Sequence, residues 1–108
     1  KPWGQEEIIE IDHRYMVKKL TMNAGHRCSL QYHEKKIETI FVLSGQLKIE
    51  TGSDEKNLVS KTYNSGESIT LPPGLIHRME GVTDSVYLEA STPEMKDVIR
   101  IKDDYKRD

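Results

Sequence analysis

Short runs of alternating apolar and polar residues dominate the chain. Tyr15 to Met22, Ser29 to His33, Glu38 to Leu43, Leu47 to Thr51, Ser68 to Leu71 and Val86 to Ala90 each repeat at period two. That period marks half-buried strands and not helices. Between them lie turn formers at Asn23-Ala24-Gly25, Ser44-Gly45, Gly52-Ser53-Asp54, Asn64-Ser65-Gly66, Pro72-Pro73-Gly74 and Gly81. Gly, Asn and Pro supply the backbone angles that reverse an antiparallel chain, so the spacing predicts an all-β sandwich or barrel. No long amphipathic helix is expected. Pro93 to Val98 reads as one short helical turn, and Asp103 to Asp108 as a tail too charged to be core. The 108 residues suit one domain with one core. That core is expected over about residues 15–92, with an N-terminal strand before it and a C-terminal strand and tail after it.

Residues two apart on a strand share a face. Ser29, Gln31 and His33 are therefore expected on one side, with Cys28, Leu30 and Tyr32 turned away. Lys18 falls in line with Met16, Leu20 and Met22, so it either snorkels at a rim or faces a polar cavity. Leu30, Tyr32, Phe41 and Leu43 alternate away from the polar trio. Such an apolar outer face predicts a homodimer.

Composition narrows the partners. Sixteen Lys and Arg stand against 18 Asp and Glu, giving a formal charge of −2 with the signs interspersed. No broad basic field results, which argues against nucleic acid or an anionic membrane as main partner. The apolar runs are far shorter than a membrane span. Cys28 is the single cysteine and cannot form an internal disulfide. With no cationic start followed by an apolar stretch, a reducing cytoplasm is expected.

Two spaced motifs carry the chemistry. The first runs Gly25, five residues, Gln31, one, His33, four, Glu38, six, Gly45. The second runs Gly66, five residues, Pro72, one, Gly74, two, His77, three, Gly81. Singly, each glycine reads as a turn and each histidine as a hydrogen-bonded core residue. Together, Gln31 and His33 can converge from one strand, Glu38 from the next across a short hairpin, and His77 by sheet closure. Two imidazoles, a carboxylate and an amide oxygen suit Zn, Mn, Fe, Co or Ni. A set without sulfur, with one weak neutral ligand, leaves coordination positions open, as catalytic sites require.

These gaps resemble the signature motifs of the cupin superfamily, a jelly-roll β-barrel fold, at Gly25, His33, Glu38, Gly45, Gly66, Pro72, Gly74 and His77. Gln31 stands where many cupins have a first His, and Gly81 where they have Asn. The first departure is similar to the phosphomannose isomerases, whose Ser-Leu-Gln-x-His stretch is matched by Ser29-Leu30-Gln31-Tyr32-His33. Further matches resemble the C-terminal cupin domain of the bifunctional mannose-1-phosphate guanylyltransferase/mannose-6-phosphate isomerases. They are Pro2-Trp3-Gly4, Tyr15-Met16-Val17-Lys18, Leu71-Pro72-Pro73-Gly74 with His77-Arg78, Asp97-Val98-Ile99-Arg100, and Asp103-Asp104-Tyr105-Lys106-Arg107. The family's His-His-His-Arg-Ala-Glu-His-Trp run is altered to His33-Glu34-Lys35-Lys36-Ile37-Glu38-Thr39-Ile40.

The resemblance implies a metal held by Gln31, His33, Glu38 and His77, zinc first among the candidates, and a metal-dependent aldose-ketose isomerase. Mannose 6-phosphate and fructose 6-phosphate would be its substrates. Lys18 and Arg100 are expected to be catalytic, and Ser29, Arg78 and Glu89 to contact substrate. Arg100 as a surface ion pair with Asp103 or Asp104 is the plain alternative. A noncatalytic sugar-binding or regulatory cupin, and a metal-dependent cupin of other specificity, remain alternatives for the whole chain.

Overall fold

The computed structural model describes residues 1–106. Ten strands form: β1 (Gly4–Ile11), β2 (Met16–Met22), β3 (Leu30–Tyr32), β4 (Glu38–Ser44), β5 (Gln46–Gly52), β6 (Val59–Asn64), β7 (Ser68–Leu71), β8 (Ile76–Gly81), β9 (Ser85–Ser91) and β10 (Ile99–Lys102). They make two five-stranded sheets ordered β1-β2-β9-β4-β7 and β10-β3-β8-β5-β6, all neighbours antiparallel. Only β1–β2 and β5–β6 are sequential hairpins; every other connection crosses between the sheets. This is a jelly-roll barrel, one of the all-β sandwich or barrel forms that the alternation and turn spacing predict and the one that the resemblance implies.

The inward row of β2 is Met16, Lys18, Leu20 and Met22, each under a tenth exposed. Ile40 and Val42 on β4, Leu47 and Ile49 on β5, and Tyr87 on β9 meet them in the core. Gly45 carries the chain from one sheet to the other at φ +82°, where a Cβ would lie 2.2 Å from the Asp84 carbonyl oxygen. A larger residue there would strain the backbone and collide with it.

Several expectations change. Val59–Asn64 shows no alternation and is not foreseen as a strand, while Ile76–Gly81, which shows none either, is the expected strand carrying His77, beside the one carrying Gln31. On the edge strand β6 only Tyr63 is buried, while in β8 Ile76, His77, Arg78 and Met79 are all buried. Pro93 to Val98 forms a turn at Met95-Lys96 and no helix. The regular part of the third strand is only Leu30–Tyr32, so strict alternation does not reach Cys28. Cys28 packs in the core instead of turning away. Leu30 is 3% exposed, which leaves Phe41 and Leu43, each 39% exposed, as the apolar outer surface of that quartet. The charged tail also docks: Tyr105 packs on the core, its hydroxyl lies 2.7 Å from His26 Nδ1, and Asp104 pairs with Arg27. Arg107 and Asp108, the end of the expected tail, lie outside the described residues. Among the described residues no helix is long and apolar enough to cross a membrane.

Candidate metal centre

The register of the second sheet sets Arg100, Gln31 and His77 side by side across β10, β3 and β8. Directly paired residues point to the same face. Glu38 comes from the opposite sheet, at the start of β4, so the segment joining His33 to Glu38 is a crossover and not the short hairpin expected. Gly74, at φ +84°, donates its N–H to the His33 carbonyl at 2.7 Å and ties the turn before β8 to the first histidine.

Here His33, Glu38 and His77 come together, all buried, with their ligand atoms within 4.8 Å of one another. Glu38 Oε1 lies 3.2 Å from His33 Nε2 and 3.1 Å from His77 Nε2. Each ring turns its other nitrogen to a backbone carbonyl: His33 Nδ1 to Asp97, and His77 Nδ1 to Leu75 at 3.0 Å. A carbonyl has no hydrogen to give, so Nδ1 must donate. The neutral rings then aim their Nε2 lone pairs at a carboxylate oxygen, an arrangement that needs a cation between them. His77 Nε2 and Glu38 Oε2 are buried without a geometrically sound hydrogen bond, as unused ligand atoms would be. The donor set therefore fits a divalent metal. Gln31 offers its amide oxygen from the same face as His77, and that oxygen accepts the Ser29 hydroxyl at 2.5 Å.

Electrostatics agree with this reading. Burial by itself would raise the Glu38 carboxyl, but the His33 and His77 rings set against it and the charge of Lys36 hold it well below the usual range. Burial disfavours protonated His33, yet the hydrogen bond and charge of Glu38 outweigh it and raise its pKa. Without metal, a proton takes the cation's place.

Beside the cluster opens a cavity of about 580 Å³ including its solvent-open mouth. Lys18, Gln31, His33, Glu89 and Arg100 line it, which resolves the choice left open for Lys18 in favour of the cavity. Lys18 is 7% exposed, lies 3.4 Å from Glu6, and is Cα-paired with Glu89. Val98 lines the cavity with Arg100. Ser29 and Arg78 are not on this wall. Arg78 instead donates from Nε to the Cys28 carbonyl at 3.0 Å and from Nη2 to the Lys102 carbonyl at 3.2 Å, and lies 3.9 Å from Asp104.

Lys36 escaped the sequence reading. Its ammonium, 5% exposed as a residue, lies 2.9 Å from Glu89 Oε2 and 3.5 Å from Glu38 Oε2. Burial favours its neutral amine, but the charges of Glu89 and Glu38 prevail and raise its pKa. Burial and then the charge of Glu38 push the Glu89 carboxyl up, with Lys36 and Lys18 pulling it back in part. Extending the period-two pattern back from Glu38 would have placed Lys36 on the buried face.

Comparison with known proteins follows the same line. Residues 1–103 match the family described as mannose-6-phosphate isomerase C-terminal. The chain is 34% identical over its whole length to mannose-1-phosphate guanylyltransferase 2 of Escherichia coli O157:H7, covering 22% of that protein. It is 32% identical to mannose-1-phosphate guanylyltransferase of Escherichia coli K12, over 99% of this chain and 22% of that one. The chain thus spans about a fifth of these relatives. KdgF from Halomonas superposes with a TM-score of 0.78 at 16% identity, over 89% of this chain and 84% of that one. An RmlC-like cupin from Shewanella frigidimarina gives 0.76 at 16% identity, over 89% and 81%. Those two likenesses bear on the fold. The family match takes in every strand of both sheets, and the chain, cupin-like in fold, therefore belongs to the mannose-6-phosphate isomerase C-terminal family.

Proposed function

We propose that this chain is a metal-dependent sugar-phosphate isomerase interconverting mannose 6-phosphate and fructose 6-phosphate. The observation that carries the reading is the convergence of His33, Glu38 and His77 beside a cavity lined by Lys18, Arg100 and Glu89. Gln31, His33, Glu38 and His77 would hold the divalent ion, with zinc the first candidate. When bound, the ion supplies Lewis-acid polarisation of a carbonyl and its neighbouring hydroxyl.

Aldose-ketose exchange moves a proton between adjacent carbons and develops negative charge on oxygen. Glu89 is the carboxylate for the proton. It is buried, held by Lys36, and its raised pKa brings gain and loss of a proton closer to neutrality. Lys18 and Arg100 supply the cations for phosphate or for the developing charge, and family membership supports the substrate. A dimer through the face bearing Phe41 and Leu43 belongs to the same proposal; light scattering should exceed the 12.5 kDa of one chain.

The test is a coupled assay in both directions on zinc-loaded protein, on protein stripped with a chelator, and on the stripped protein reloaded. Interconversion should vanish with the metal and return with it. Metal-loaded protein that binds mannose 6-phosphate without converting it would replace the isomerase with a noncatalytic sugar-binding cupin.

A further inference from the structure

Residues 93–98 link β9 to β10 without regular structure, yet one of them grips the metal centre from two directions. The Asp97 carboxylate accepts three successive backbone N–H groups: Glu34 at 3.0 Å, Lys35 at 2.7 Å and Lys36 at 2.9 Å. Its own carbonyl accepts the Nδ1–H of His33. Convergent N–H donors on a carboxylate make strong, directional bonds. They hold the Asp97 carboxyl down at about 2. Asp97 thus fixes both ends of the step from His33 to Lys36, and Arg100 follows three residues later.

We propose that Asp97 is a positioning residue for the metal centre, setting which nitrogen of His33 faces Glu38 and how Lys36 reaches Glu38 and Glu89. This rests on the metal-centre reading above. The competing view is a loop staple that adds stability alone. Asp104 supplies the comparison, because it clamps Arg27 at 2.6 and 3.0 Å without touching the cluster.

The experiment compares Asp97→Ala, Asp97→Asn and Asp104→Ala in the full chain. Zinc affinity is read by competition with a chelator. The His33 tautomer is read in metal-free protein from imidazole ¹H–¹⁵N spectra at a pH where the ring is neutral. Asp97→Ala should weaken zinc binding about 10- to 100-fold and turn a pure Nδ1–H His33 into a mixture. Asp97→Asn, which keeps an acceptor oxygen, should recover most of both; Asp104→Ala should lower the thermal midpoint and change neither. Wild-type zinc affinity and an unchanged His33 spectrum in Asp97→Ala would overturn the proposal, as would equal losses in Asp104→Ala. If the wild type binds no zinc, the metal-centre reading fails, and the tautomer alone decides whether Asp97 positions His33. Asp97→Ser is read against the same outcomes if Asp97→Ala does not fold.

Discussion

Arg27 and Asp104 meet at 2.6 Å on the outside of the barrel, and Lys36 and Glu89 at 2.9 Å inside it. The first pair is 38% and 43% exposed, the second 7% and 7%. Similar distances therefore stand for different physics. Water and salt screen the outer pair, whose role is to pin the tail. The inner pair has lost its water, so each member needs the other, and removing one strands a buried charge. Lys36 also stands between two carboxylates, Glu38 and Glu89. That direct grouping is one cation short, a deficit filled by a His33 proton or a divalent ion.

The sharpest way to break this comparison is Lys36→Ala. It removes the ammonium shared by two buried carboxylates and should cost about 3–5 kcal/mol in urea unfolding. A loss under about 1 kcal/mol would erase the distinction between inside and outside. Arg100→Ala comes next. Arg100 sits on the strand whose far end leads to Asp104, but its side chain reaches the cavity. The variant should keep its metal and lose about 100-fold in kcat/KM. Unchanged turnover with slightly lowered stability would return Arg100 to a structural role and leave Lys18 as the cation to test.

Acid separates the two regions further. The backbone N–H groups of residues 34–36 depress Asp97 to about 2 from an ordinary 3.8. The hydrogen bond from Arg27 lowers Asp104 as well, against a smaller opposing effect of burial. A depressed carboxyl stabilises the fold above its unfolded pKa, and that contribution is lost as pH falls through the folded value. For Asp97 the loss should run from about pH 3.8 to 2. Stability measured through that window should fall less steeply in Asp97→Asn than in the wild type; parallel curves would remove Asp97 from the linkage. The smallest effect belongs to Arg27→Ala, with about 0–1 kcal/mol of stability lost and metal affinity unchanged.

Much of the site was legible before any coordinates. The gaps around Gln31, His33, Glu38 and His77 reflect local rules: period two sets the shared faces, and turn residues set where strands begin. Lys18 announced itself as a lysine in the apolar row of Met16, Leu20 and Met22. Lys36 was readable by the same rule but lay outside any assigned strand. The bounds of β8 were hidden because polar His77 shares a face with Met79 while apolar Ile76 shares the other with Arg78 and Glu80, which breaks the alternation.

The amino-acid sequence by itself determined most of the strand segments, the turns, the resemblance to the family and which of His33, Glu38 and His77 to look for together. Tertiary structure alone decided which charges became neighbours. His33 meets Asp97 across 64 positions and His26 meets Tyr105 across 79, distances over which no local periodicity operates. Sheet order turned the step from His33 to Glu38 into a crossover, brought Lys36 onto Glu89, and sent Arg78 to backbone carbonyls away from the cavity. Whether a charged side chain is solvated or part of a site depends on what the rest of the chain places over it, because burial sets the cost of its charge.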